Sequence, residues 1–526
     1  MQTKSLGPFL GINNRLPDTA LHVPRTGDFL SAAENVDIDD AGRIHRRAGT
    51  ALLQAMANAH SLHMTSETTG FMVRASVLYA VTLPAYTETL LKVLASDARM
   101  SYAVLGDSWY FSNGTDRGRV TAGVTYPMGL PTPASPAVAL IGGELLKGDY
   151  QVSVSYSNSV TGEEGGAAAS TNYTLASTGG LRVTLPAATS GATHINVYLS
   201  AANGEVPTLA AAVALGTASY DLIALATGRE TTGRYEAPLP AGTLFNHNGR
   251  LCSFSGSLLY VGLPFRPGYY LPAEGYIPFP SAINVAAPNQ GGVYVAADKT
   301  YFIPGDLGNV ESTILDVLPY GAVPGTVFTH PAKTIVGWFG ARGFVLADTQ
   351  GGAEAVMTEN VNVVPPTSGV ATVSDCDGYF RAMSCGWCIN LTSNAATSYA
   401  GWDFTSTSGS YGTKADGIYS LHTAGPVDAT VGFGKQNFGT EVLKHLPAVY
   451  LGVNAPSAMR LRVQAPNAVD YTYSARSISA DTQMQRVDPG KGLRATWFDL
   501  TLMNTDGADF TLATVSFAPT TTTRRI

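Results

Sequence analysis

Within 245–305 of this 526-residue chain no window keeps apolar residues at helical spacing without a Gly or Pro interrupting it, so nothing in that stretch reads as a helix. There Asn248-Gly249, Ser255-Gly256 and Gly291-Gly292 separate short runs such as 258–261 and 293–296, rich in the β-branched and aromatic residues that pleated sheets favour. The 56 Gly, 30 Pro and 25 Tyr suit many short strands joined by tight turns. The expected class is all-β. The best helix candidate is 51–63.

Strand pairs recur from Phe71 onward, at 73–81, 107–113, 258–261, 293–303, 343–346, 379–383, 418–422 and 449–453. Apart from one interruption, neighbouring units start roughly 30 to 50 residues apart, the period of propeller blades. A closed ring of blades protects sheet edges without covering helices. Between six and eight blades are expected. The interruption, 131–230, follows a proline-stiffened linker, Pro127 to Pro136. Inside it Tyr150, Val152, Val154 and Tyr156 alternate with Gln151, Ser153 and Ser155, and Ile195, Val197 and Leu199 alternate with Asn196 and Tyr198. Such period-2 alternation predicts a small β-sandwich. Near the N-terminus, 33–50 reads as a hairpin turning at Asp40-Ala41-Gly42. The expected plan is an arm at 1–32, a first stretch of propeller at 33–130, the inserted fibronectin-like sandwich at 131–230, the remainder of the propeller at 231–455, and C-terminal strands with a tail closing the body at 456–526.

The net charge of −7 argues against a protein that grips nucleic acid by neutralising phosphates, though not against a surface along which nucleic acid slides. The inserted module holds seven acids against three bases and carries more than half of that charge. No Sec-type leader is recognisable at the N-terminus, and no apolar run approaches the roughly 18 residues of a membrane span. Four cysteines, Cys252, Cys376, Cys385 and Cys388, are too few for a disulfide scaffold. Synthesis in a reducing cytoplasm, without stable membrane insertion, is expected.

Few residues assemble into a chemical motif. Cys385-Gly-Trp-Cys388 has redox spacing but strand character on both sides, where a redox pair wants a helix N-terminus, so packing cysteines are expected. Asp37-Ile-Asp39-Asp40 resembles the start of a calcium loop. It fails at Ala41 and Ala48, where that loop needs ligands, and reads as a solvated turn. Arg43, Arg46 and Arg47 beside these acids suggest local or inter-subunit ion pairs. The nine histidines are scattered, no nucleophile elbow or P-loop occurs, and glycosidase carboxylates would meet only in the fold. No catalytic, cofactor or metal site is expected.

Four places nonetheless resemble the tail nozzle, or packaged-DNA stabilisation, proteins of short-tailed bacteriophages. Glu34-Asn35-Val36 through Gly42-Arg43-Ile44 to Arg46-Arg47-Ala48-Gly49-Thr50 is similar to their N-terminal hairpin, with Ala48 where a proline is usual. Gly129-Leu130-Pro131-Thr132-Pro133 looks like the linker to their inserted fibronectin-like module. Asn248-Gly249-Arg250-Leu251 with Tyr260-Val261 and Pro264 resembles a central propeller strand pair, and Thr523-Arg524-Arg525-Ile526 their C-terminus. The resemblance implies a structural virion protein with no enzymatic role: a ring of six copies below the portal and adaptor, with tail fibres, spikes or a needle beneath. Double-stranded DNA would pass through the lumen without specific binding. Candidate contacts with neighbouring subunits or tail proteins are Arg43, Arg46, Arg47, Arg524 and Arg525, and Glu163 and Glu164 would mark an acidic surface of the inserted module. Two alternatives stand beside it: a distal adhesin binding a host glycan or a tail fibre, with Phe265-Arg-Pro-Gly-Tyr269-Tyr270 as a candidate surface, and a propeller-fold polysaccharide hydrolase.

Overall fold

In the computed structural model the described residues are 4–521, apart from 24, 226, 232–235, 309–312, 377, 468, 477–478 and 491. Among them, seven antiparallel four-stranded units follow one another around a ring. Blade 1 is Ala59–Met64, Thr69–Arg74, Val77–Thr82 and Thr87–Val93; blade 2 is Ser101–Leu105, Ser108–Ser112, Arg117–Thr121 and Val124–Tyr126. Blades 3, 4 and 5 begin with Thr243–His247, Val285–Pro288 and Phe328–Thr329. Blade 6 runs from Ala371–Cys376 through Tyr379–Ser384 and Trp387–Asn390 to Ala396–Ser398. Blade 7 takes Ser406–Ser408, Tyr411–Lys414 and Gly417–Thr423 from late in the chain and its outermost strand, Gly49–Ala55, from early in it. The body is a seven-bladed β-propeller, closed by pairing the first strand of the ring with the last sheet.

The first strand of each blade is the innermost and has no strand partner on its axial edge, so side chains, with one backbone bond between blades 5 and 6, do the joining. Ser406 Oγ accepts from Leu62 N (2.7 Å) between blades 7 and 1, and Ser61 Oγ from Met100 N (2.8 Å) between blades 1 and 2. Ser101 Oγ accepts from Leu244 N at 2.9 Å, His247 Nε2 meets Gly305 O at 2.8 Å, and Asn289 Nδ2 donates to Asp348 O at 2.7 Å. Gly369 N donates to Pro324 O (3.0 Å) between blades 5 and 6, and Thr372 and Thr407 share a hydroxyl bond (2.6 Å) between blades 6 and 7. Small apolar clusters fill the spaces between blades, such as Val73, Phe111 and Val120 between blades 1 and 2.

Both chain ends build a second body. One sheet joins Lys4–Leu6, Val36–Ile38 and Ile44–Arg46 to Val449–Ala455, Ser479–Val487 and Thr511–Phe517; the other joins Ala32–Glu34 to Thr430–Gln436, Phe498–Met503, Arg460–Ala465 and Val469–Ser474. Leu6, Val36, Ile44, Val431, Leu451, Leu461, Leu500 and Phe517 are buried between them. Blade 6 runs into this body without a break, because Ser398 of its outer strand pairs with Glu34 and the same short strand pairs with Thr430–Gln436. The result is one sheet of nine strands.

Three expectations change here. The segment 1–32 is not a separate arm: Lys4 pairs with Phe517, and Leu6 fills the sandwich core. The propeller begins at Gly49 rather than 33 and leaves its seventh blade at Thr423, while 430–455 belongs to the sandwich. The reason is the alternation of 498–503 and 511–517, whose inward apolar rows need a second sheet over them. The helix candidate 51–63 is two strands. Asn58, at φ 57°, turns the chain between them, and blade 7 takes up the backbone groups of Gly49–Ala55.

The inserted module is the expected sandwich. Gly148–Asn158 pairs with His194–Leu199, which pairs with Thr208–Ala214, and this sheet faces Val138–Leu145, Gly179–Thr184 and Ser219–Leu222 across a core of Val152, Val154, Leu181, Val183, Ile195 and Val197.

Candidate functional site on the loop face of the propeller

The connections that lead into the inner strands, and the turns between second and third strands, share one face of the ring. Three arrangements on or beneath it bring polar chemistry together.

The first is the joint with the end sandwich, built by 35–47. Asn35 donates to Asp428 O (2.9 Å), and its Oδ1 accepts from Arg47 Nε (2.9 Å) and Ala400 N (3.0 Å). Arg47 is buried; its other nitrogens donate to the Ala48 and Ala400 carbonyls, each at 3.1 Å. Its guanidinium lies over the Tyr399 and Trp402 rings, 5.2 and 5.6 Å from their centroids. Carbonyl oxygens and π faces thus hold this charge. Behind it, Asp37 pairs with Arg381, with both side chains only 3% exposed. Asp37 also accepts from the Tyr399 hydroxyl, and the Cys388 thiol lies 3.5 Å away. Arg381 donates further to Tyr399 Oη (3.0 Å) and meets His422 Nδ1 at 3.2 Å. A guanidinium only donates, so Nδ1 is the acceptor and the imidazole is neutral. Burial, and secondarily the Arg381 charge, pulls the His422 pKa down to about 4.

The second is Arg99. It precedes the inner strand of blade 2, yet Nη1 donates to Gly369 O (2.8 Å), ahead of blade 6, and Nη2 to Gly325 O (3.3 Å), ahead of blade 5. Blades 2 and 5 lie on opposite sides of a seven-membered ring, so this side chain crosses the axis. Arg99 is accessible from the mouth of the ring, but protein surrounds it on most sides, and that enclosure lowers its pKa.

The third is a cleft of about 570 Å³ between the loops feeding blades 6 and 7, with Pro365, Pro366, Gly369, Cys385, Trp402 and Asp403 in its lining. The Trp402 ring is fixed edge-to-face against Tyr399 (5.4 Å) and Phe404 (4.9 Å). Lys414 Nζ binds Asp403 Oδ1 and Gly401 O (2.8 Å), and its hydrogen bond keeps the Asp403 carboxyl below the usual range.

The residues singled out from sequence divide among structural tasks. Arg43 pairs locally with Asp39 (2.7 Å) and is half exposed, while Arg46 reaches Asp509 (3.2 Å) and Gly425 O (2.8 Å) inside the chain. Arg47 is the joint residue described above. Arg524 and Arg525 lie outside the described residues. Glu163 and Glu164 do not form an acidic surface. Glu163 pairs with Arg119 of blade 2 at 2.8 Å and accepts from Tyr269 at 2.8 Å, whereas Glu164 is enclosed by Ser155, Asn196, Tyr198 and Arg229. Their charges are drawn inward because the fold brings an arginine onto each, Arg119 from blade 2 and Arg229 from the end of the module. The Asp37–Asp39 turn is buried rather than solvated. Asp39 accepts from Ala41 N, Arg43 N, Arg43 Nε and His45 Nε2 at 2.7–3.0 Å, and these bonds hold its carboxyl low although burial alone would raise it. Cys385 sits at a hairpin turn and Cys388 in the core, and burial pushes both thiols up, opposite to what a redox pair needs. Of the aromatic surface proposed at 265–270, Phe265 is 98% exposed but Tyr269 is buried. Among the described residues no three His, Cys, Asp or Glu side chains converge as metal ligands. Arg99 and Arg381 escaped the sequence reading because their partners lie across the ring or hundreds of residues away, and the Trp402-Asp403 pair because its near neighbours form no recognisable motif.

No family model and no curated protein matches this chain. Among solved structures it is similar to an exo-β-1,3-galactanase from Phanerochaete chrysosporium with galactose (10% identity, 88% of this chain and 100% of that one, TM-score 0.19). It is also similar to the extracellular domain of a putative one-component system from B. thetaiotaomicron (9%, 93% and 92%, TM-score 0.26). A third is a glycoside hydrolase family 43 arabinoxylan arabinofuranohydrolase from Bacillus subtilis with cellotetraose (9%, 87% and 96%, TM-score 0.15). Two of these three are enzymes, and the expectation that the chain has no enzymatic role is withdrawn on that account. At such scores no substrate and no catalytic residue carries over.

Proposed function

We propose that this chain is the wall-building subunit of a ring-shaped tail nozzle in a short-tailed bacteriophage, a virion protein that extends the DNA channel below the portal and adaptor. In that setting it retains the packaged genome and conducts it at ejection. One observation carries the reading: the hairpin that bears the resemblance, 34–50, is the buried joint through which Asn35, Asp37 and Arg47 fasten the end sandwich to blades 6 and 7. The motif is thus tied to architecture. Arg99, crossing the propeller axis, directs the same reading toward a duct enclosed by several copies rather than by one propeller. Light scattering on the purified protein and negative-stain imaging of virions test it. A ring containing this chain at the tail supports it; a stable monomer with no ring in virions overturns it.

A second reading, attachment to or cleavage of a polysaccharide, has the Trp402 cleft in its favour. Reducing ends released from polysaccharide by the purified chain would distinguish cleavage from attachment.

A further inference from the structure

The cleft between blades 6 and 7 is shaped by five residues. Trp402 is half-buried and cannot rotate, because Tyr399 and Phe404 meet it edge-on and Arg47 lies 5.6 Å from its centroid. Asp403, next in sequence, is 75% exposed, and Lys414 holds only its Oδ1. Its Oδ2 receives no hydrogen bond from any other described residue, so a fixed acceptor stands beside a fixed aromatic plate. Around them Pro365 and Pro366 stiffen one wall. Gly401 turns the chain at φ +70° beside open space, and its carbonyl helps to hold Lys414 (2.8 Å).

The chemistry of the lining narrows the occupant. No Arg or Lys is among the lining residues, which disfavours phosphate and carboxylate ligands. The Asp403 charge is already compensated by Lys414, which disfavours a cation. What remains is a neutral ligand with one apolar face and several hydroxyl donors, and at 570 Å³ the cleft is within the roughly 300–1,000 Å³ range of small-ligand sites. We propose that this cleft binds a neutral saccharide, with one pyranose face laid on Trp402 and adjacent hydroxyls donating to Asp403 Oδ2. The inference rests on the polysaccharide reading and is independent of the ring.

The test is calorimetric titration of the full chain with maltotriose, cellotriose and triacetylchitotriose, beside an assay for released reducing ends. Saturable binding of at least one trisaccharide is expected, weakened at least tenfold by Asp403→Ala. Because Trp402→Ala disturbs packing around Arg47, the blocking variant is Ser368→Trp at the exposed rim, which should abolish binding at an unchanged melting temperature. No saturable binding of any of the three, or binding indifferent to both variants, overturns the site. Binding without reducing ends keeps the site and removes only cleavage.

Discussion

Arg99 donates to the carbonyl of Gly369 at 2.8 Å from the far side of the ring. Opposite blades are therefore tied across the axis as well as around the circumference. Arg99→Met should lower stability by about 1 kcal/mol, since both freed carbonyls can turn to water. Gly325→Ala should cost more: Gly325 has φ +82°, and an added Cβ would clash with Arg99 Nη1. Thermal unfolding of the two variants checks the order, with Gly325→Ala the lower.

The Asp37–Arg381 pair is buried on both sides, so breaking it from one side should be expensive. Asp37→Asn or Arg381→Met alone is expected to cost about 3–5 kcal/mol by leaving the other partner's bonds unmet. The double variant should recover part of that loss. A double-mutant cycle by denaturant unfolding measures the coupling; strict additivity would contradict the arrangement.

His422 gives stability a sign with respect to pH. Its folded pKa of about 4 lies below the ordinary 6.5, so between those values the unfolded chain binds the extra proton. Stability is therefore full above about pH 6.5, falls as pH drops, and stops falling on this account below about 4, a loss on the order of 3 kcal/mol. His63, whose pKa burial also lowers, adds in the same direction. Melting temperatures of wild type and His422→Gln between pH 4 and 7 should converge toward the acid end.

The inserted module is fastened at Glu163, which meets Arg119 and Tyr269 in a joint where the Glu and Arg side chains are 15% and 18% exposed. Glu163→Lys should loosen the module at the linker 127–136 while leaving both bodies folded. Limited proteolysis should then cleave there faster than in wild type, with an unchanged circular dichroism spectrum.

Sequence reading reached what depends on local pattern. Period-2 alternation located the inserted sandwich, and turn pairs such as Asn248-Gly249 marked blade 3, where Asn248 and Gly249 both take positive φ. Starting points 35 to 43 residues apart, from Val285 to Phe328 and from Ala371 to Ser406, match the expected blade period. What stayed hidden depends on closure. Nothing local distinguishes Lys4–Leu6 from an arm, because its partner is Thr511–Phe517. Glu163 and Glu164 read as surface acids because their arginines arrive only when the chain has folded around them. Local context showed the cysteines' strand setting, but not the cleft that Cys385 borders.

The pairing of Gly49–Ala55 with Gly417–Thr423 also sets an order in time. On the ribosome, the strand that completes blade 7 emerges early and waits while hundreds of residues follow, tens of seconds at about 5–20 residues per second. Ile44–Arg46 waits longer still, for Thr511–Phe517. Blades 1 to 6 can stack as they appear, but the ring and the sandwich become permanent only once synthesis is almost finished. A ribosome stalled before Gly417 would therefore carry an open arc with exposed blade faces, the state most in need of a chaperone.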